Sequence, residues 1–175
     1  MAIITTFEYE KLLNDYGNKV YSFCLSLTKN KQDADDIYQE SCLKAFKIVD
    51  KISKDDNPAS FLCGMVLKVY RSQARKYARR NAIYDSKVVP IFNKEANDSI
   101  ESEIEEKLIK EDISNAISKL DDIYRIPMIL FYTQELKIEK IAEIMNIPEG
   151  TIKSRLNTAR GQIKQYLRGR GYETY

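Results

Sequence analysis

The stretch Glu135–Leu167, ELKIEKIAEIMNIPEGTIKSRLNTARGQIKQYL, decides how the chain is read, because it holds two amphipathic helices separated by a tight corner. In the first, Ile138, Ile141, Ala142 and Met145 recur at three- and four-residue intervals, so one face is apolar while Glu139, Lys140 and Glu143 point to water. Asn146, Ile147 and Pro148 end it. A residue before proline is pushed out of helical backbone space, and a proline near the next helix's start has no amide to waste. The second helix opens near Glu149 and Gly150 and turns Ile152, Leu156, Ala159, Ile163 and Leu167 inward.

That inward set forces Lys153, Ser154, Asn157, Thr158 and Gly161 to the other side. Around them Lys153, Arg155, Arg160, Lys164, Arg168 and Arg170 oppose a single acid, Glu149. This is the helix-turn-helix layout, in which the second helix lies in the DNA major groove. Long cations hold phosphates there, while Ser, Asn and Thr can donate and accept at base edges. An ordinary helical bundle with a solvated basic face has the same periodicity, so spacing alone leaves both readings open.

The run Gly150-Thr151-Ile152-Lys153-Ser154-Arg155-Leu156, with Ala159-Arg160 behind it, resembles region four of the extracytoplasmic-function (ECF) sigma factors, small members of the sigma-seventy family. The resemblance implies that Lys153, Ser154, Asn157 and Thr158 read a minus-thirty-five promoter element, with Arg155 and Arg160 as phosphate or helix-packing cations.

With 28 Lys+Arg against 26 Asp+Glu the net charge is only +2, so local rather than bulk charge must carry any nucleic-acid argument. Apolar residues recur at helical intervals, Gly and Pro are few, and no strand-like alternation persists; the expected class is all-α. No apolar run is long enough to span a bilayer, and the N-terminus lacks a basic lead and long apolar core, so a cytoplasmic protein is expected. Cys24, Cys42 and Cys63 are widely spaced, without a CxxC pair or any histidine, and read as buried reduced thiols.

A first helix is expected over about Phe7–Leu27, burying Tyr9, Leu12, Leu13, Tyr16, Val20, Phe23 and Leu27. Asp33 reads as the cap of a second, DADDIYQESCLKAF, with Ala34, Ile37 or Tyr38, Cys42, Ala45 and Phe46 inward. Asp36, Gln39 and Glu40 then share an outward ridge. An acidic cluster near a helix N-terminus also serves the helix dipole. The segment is similar to region two of the same family, which implies docking on the β′ clamp coiled coil of core RNA polymerase through Asp36, Gln39 and Glu40.

After a polar corner over Ser53–Pro58, a third helix is expected from Ala59 to about Ala82, with Phe61, Leu62, Met65, Val66 and Val69 toward the core. Its far half holds Lys68, Tyr70, Arg71, Arg75, Lys76, Tyr77, Arg79 and Arg80, with no acid from 68 to 80. Cations follow a phosphate backbone and aromatic faces stack on unpaired bases; a basic solvated helix end is the plainer reading. The resemblance implies capture of the melted minus-ten strand. Lys68 and Ser72 stand where the family usually carries Asn and Asp, an exchange that favours phosphate over the family's detailed contacts.

Periodicity fades from Ile83 to about Ile100, and eight acids against two lysines lie between Glu95 and Asp112. The expected organisation is two small helical domains, 1–82 and 103–175, joined by an acidic flexible linker, 83–102, which the resemblance places along the polymerase's RNA exit path. The second domain should resume at Ile104, bury Ile109, Ile113, Ala116, Ile117 and Leu120, and continue with a buried helix starting near Pro127 and running to Tyr132. A linker of about 20 residues reaches roughly 65 Å when extended, enough to let two such bodies straddle elements more than one DNA turn apart. The family often has glycine just before the helix-turn-helix, where this chain has Leu136 after Glu135.

The resemblance therefore implies an alternative sigma factor without catalysis or cofactor. Its expected partners are core RNA polymerase, through the β′ clamp coiled coil and the β flap, promoter DNA, and an anti-sigma protein. The rival reading is a stand-alone helix-turn-helix repressor or activator, which accounts for residues 136–167 but gives Asp36, Gln39 and Glu40 no use. No Gly-rich phosphate loop or paired-carboxylate site suggests an enzyme.

Overall fold

The computed structural model describes residues 5–28, 30–49, 58–83 and 101–172. Among them all regular structure is helical: α1 Thr6–Thr28, α2 Lys31–Phe46, α3 Pro58–Ile83, α4 Glu101–Ser118, α5 Asp122–Tyr132, α6 Ile138–Met145 and α7 Glu149–Arg168. Helices α1–α3 belong to one compact unit and α4–α7 to another. The corner at 53–57 and residues 84–100 of the expected linker lie outside the described residues. Ile83 closes α3, and Glu101 and Ser102 already belong to α4, three residues ahead of the expected restart at Ile104.

In the first unit α3 packs on both α1 and α2, so its buried arc is wide: Leu62, Cys63, Val66, Leu67 and Val69 are all closed off from solvent. They meet Val20, Phe23, Cys24 and Leu27 of α1 and Ala34, Ile37 and Ala45 of α2 in the core. Leu13 and Tyr16 are only half-buried. Gly17 leaves room for the Tyr38 hydroxyl, which would stand 2.8 Å from an added Cβ. Burial pushes the Cys24 and Cys63 thiols up to about 12 and raises Cys42 as well. All three are free, in keeping with the reduced-thiol reading, although Cys42 is half-buried.

Helix α2 departs from expectation at both ends. Its cap is Asn30, whose side-chain oxygen accepts the Asp33 amide at 2.8 Å while its Nδ2 donates to the Asp33 carboxylate at 2.6 Å. Asp33 is thus the cap's partner, and the helix starts two residues earlier. Its inward face runs Ala34, Ile37, Ser41, Ala45. That spacing of three, four and four puts Ser41 where Cys42 was expected and leaves Phe46 45% exposed, with one face against the Tyr9 ring. The buried Ser41 hydroxyl has no hydrogen-bond partner among the described residues.

In the second unit α5 begins five residues before Pro127. An interior proline forfeits its bond to the carbonyl four residues back. Burial of Ile126, Met128, Ile129 and Leu130 outweighs that, at about 1.5–3 kcal/mol per large side chain. Several residues expected in this core are not closed off: Ile109, Ile117 and Phe131 are half-buried, Ile113 is partly exposed and Tyr132 is 52% exposed. Asp112 ties the chain's end to α4. It accepts from Nε and Nη2 of Arg170 at 3.1 and 2.7 Å and from the Tyr172 hydroxyl at 2.9 Å. Among the described residues no helix is long and apolar enough to cross a membrane.

Candidate nucleic-acid interface

Helices α6 and α7 meet at a corner held by the backbone itself. Asn146 adopts the left-handed conformation (φ 55°) that asparagine tolerates. The Ile147 amide reaches back to the Ala142 carbonyl and the Asn146 amide to Glu143, closing the helix with a Schellman turn. Pro148 stands as the extended N-cap of α7, its carbonyl accepting from Thr151 and Ile152. Ile141, Ala142 and Met145 of α6 are buried, as are Ile152, Leu156, Ala159 and Leu167 of α7, so the presentation of α7 is fixed.

Before the corner, Glu135 also takes positive φ, 54°. This is the left-handed position that glycine fills without steric cost. Leu136 beyond it is buried, as is Gln134 before it.

The outer surface of α7 carries most of the residues expected there. Lys153, Ser154, Asn157, Thr158 and Gly161 are exposed. At 100° per residue, Lys153, Asn157, Arg160 and Lys164 form one stripe, with Ser154, Thr158 and Gly161 on its flank. Lys153 makes a 3.7 Å ion pair with Glu149, loose enough to exchange for a phosphate. Arg155 is half-buried at the opposite edge, off the stripe. Arg160 donates from Nε to the Tyr132 hydroxyl at 2.8 Å. Arg170 stands apart from the cations of α7: it lies beyond the helix and is engaged by Asp112.

In α3 the cations divide by face. Lys68, Arg71, Arg75 and Arg79 follow one stripe with Ser72 among them, while Lys76 lies further round; the side chain of Arg80 lies outside the described residues. Lys68, Arg75, Lys76, Tyr77 and Arg79 are exposed, and Arg71 is half-buried. Arg75 Nε donates to the Arg71 carbonyl at 3.2 Å, which draws its side chain back along the helix. Tyr70 and Tyr77 stand roughly half a turn from the cationic stripe. Tyr70 is half-buried on the core side, whereas Tyr77 is 59% exposed. The structure therefore does not bring Tyr70 together with the Lys68, Arg71, Arg75 and Arg79 stripe.

On α2, Asp36 and Gln39 are exposed and Glu40 is half-buried beside them. Glu40 is already engaged. Its Oε1 lies 2.6 Å from Lys44 Nζ and its Oε2 accepts from Gln73 Nε2 of α3 at 3.0 Å. Lys44, then Gln73, hold its carboxyl below the ordinary 4.5. Gln73 and Tyr132 are the two residues that sequence reasoning missed. Each left a faint signal: Gln73 is the lone amide in the cationic run, and Tyr132 is an amphipathic aromatic ending an otherwise apolar helix.

A buried corner presenting a polar and cationic helix is the helix-turn-helix arrangement, and the chain also holds a unit of α1–α3 with Asp36, Gln39 and Glu40 on α2. Residues 12–81 match the family described as Sigma-70 region 2, and residues 110–163 match Sigma-70, region 4. The chain is 31% identical over 162 residues to the ECF RNA polymerase sigma factor SigM of Bacillus subtilis (strain 168), covering 91% of this chain and 96% of that one. It is 26% identical over 168 residues to SigW of the same organism, covering 91% and 89%. The chain belongs to the sigma-70 family, among its ECF RNA polymerase sigma factors. The same fold is seen in the sigma factor RpoE of Bartonella quintana, solved with the anti-sigma factor NepR: TM-score 0.78, 23% identity, 92% of this chain and 97% of that one. It is seen again in CnrH bound to the cytosolic domain of CnrY, with TM-score 0.68, 15% identity, and coverage of 94% and 90%.

Proposed function

We propose that this chain lends core RNA polymerase its choice of start site, with a division of labour between the two units. The α2 ridge of Asp36, Gln39 and Glu40 docks on the clamp of the polymerase, where an acidic, amide-bearing strip complements a basic partner helix. Lys153, Ser154, Asn157 and Thr158 read the minus-thirty-five element, Lys153 through phosphate and Asn157 through a base edge. The stripe Lys68, Arg71, Arg75 and Arg79 follows the opened minus-ten strand, with Lys76 and Arg80 beside it and Tyr77 available for stacking. Arg155 serves packing more than phosphate.

The observation that carries this reading is the exposure of Lys153, Ser154, Asn157 and Thr158 on a helix whose other face is locked into the core. The units are assigned as 1–82 for polymerase and minus-ten and 103–175 for minus-thirty-five. The protein is not an enzyme and works in the cytoplasm beside the polymerase. An anti-sigma protein, of the kind bound to RpoE, covers the same surfaces when the factor is held inactive. Association with purified core polymerase is the test. A stable complex that weakens on charge reversal at Asp36 supports the proposal; a folded chain that ignores core enzyme and binds duplex DNA alone returns it to the stand-alone regulators.

A further inference from the structure

Arg160 lies seven residues beyond Lys153, two turns along the same exposed stripe of α7, so it faces wherever Lys153 and Asn157 face. Its guanidinium is not loose. Nε donates to the Tyr132 hydroxyl at 2.8 Å, and the guanidinium carbon stands 5.8 Å from that ring's centroid. Tyr132 comes from the last turn of α5, outside the helix-turn-helix, and is itself 52% exposed. Among the described residues neither Nη atom of Arg160 makes another hydrogen bond, and the Tyr132 hydroxyl has accepted one bond without donating its own proton.

We propose that Tyr132 and Arg160 form a composite clamp for one phosphate of the duplex beside the minus-thirty-five bases. The clamp rests on the reading of α7 given above. Chemistry favours a phosphate over a base edge. The two Nη groups present the planar fork that matches a tetrahedral anion, and the phenol supplies a further donor on the same side. Anchoring Nε removes much of the rotamer freedom that a long side chain would otherwise lose on binding. Tyr132 is thus a positioning and contacting residue, and sequence choice stays with Asn157 and its neighbours.

The test uses holoenzyme reconstituted from core polymerase and the full chain, binding labelled duplex promoter DNA over a salt series. Tyr132→Phe keeps the ring and removes only the hydroxyl. It should lower affinity about three- to tenfold, equally on matched and mismatched minus-thirty-five sequences, with the salt slope unchanged. Arg160→Gln should lower affinity and make the slope shallower by about one. The double variant should lose more than Arg160→Gln alone but less than the product of the two single losses, because the hydroxyl acts partly through Arg160. Full affinity for Tyr132→Phe, an altered sequence preference, or a double variant whose losses multiply would overturn the clamp. A lowered melting temperature with unchanged DNA affinity would reduce the pair to a structural strut and overturn it equally. If the wild-type holoenzyme itself shows no dependence on the minus-thirty-five sequence, the parent reading of α7 fails. If it shows that dependence and Tyr132→Phe is silent, only the clamp fails.

Discussion

Glu40→Ala separates two duties that the sequence merges. In the folded chain Glu40 accepts from Gln73 across the α2–α3 contact and pairs with Lys44 one turn along α2. Both bonds are partly exposed and are discounted accordingly: about 0.5–1 kcal/mol for the hydrogen bond and about 0.3–0.5 kcal/mol for the ion pair. Alanine's better helix propensity returns a few tenths, leaving a net loss of about 1 kcal/mol. That should lower the melting temperature of the first unit by about 4–8 °C. Asp36, exposed and without a hydrogen bond or ion pair among the described residues, should give a variant within about 0.5 kcal/mol of wild type. Both Asp36→Ala and Glu40→Ala should nonetheless weaken binding to core polymerase.

The pH dependence follows from the carboxyl's depressed pKa. Lys44 and Gln73 favour the charged form in the folded chain. Their contribution is therefore complete above the unfolded value near 4.5 and is lost as pH falls through the lower folded value. The gap between wild type and Glu40→Ala should hold from neutral pH to about 5 and close under more acid conditions. Thermal unfolding by circular dichroism at several pH values measures it. No gap at pH 7, or one that persists undiminished at pH 3, refutes the argument.

Other substitutions test other parts of the structure. Lys153→Ala should bind promoter DNA more weakly with a salt slope shallower by about one, whereas Asn157→Ala should change the preferred minus-thirty-five sequence; a site selection identical to wild type would remove Asn157 from the reading set. Glu135→Gly should stabilise the second unit by about 0.5–1 kcal/mol, because relief of left-handed strain exceeds glycine's entropy cost. Glu135→Ala, which stays strained, should show no such gain in a denaturant titration. Ser41→Ala should leave the first unit as stable or up to about 1 kcal/mol more stable, since it deletes a buried hydroxyl that has no hydrogen-bond partner among the described residues. A clear loss would mean that the hydroxyl is satisfied in solution.

The helical class and the inward faces of α6 and α7 were legible in the sequence, because three-and-four spacing reports burial directly wherever a helix packs on one side. The same logic failed where packing is two-sided or where a helix outruns its neighbours. Leu67 and Cys63 are buried because α3 touches both α1 and α2, which no single stripe reveals. Phe46 and Tyr132 look like core by composition but end their helices at a surface. Pro127 suggested a helix start, but the apolar residues around it hold α5 together through the missing bond. Bonds between residues distant in sequence, Gln73 to Glu40 and Tyr132 to Arg160, depend on the fold and left almost no local trace.

The most direct test of the central claim is transcription from a pool of promoters by core polymerase with and without the full chain. The account predicts new start sites that share a minus-thirty-five sequence and shift to another when Asn157 is replaced by alanine. Start sites unchanged by addition of the folded chain would contradict it.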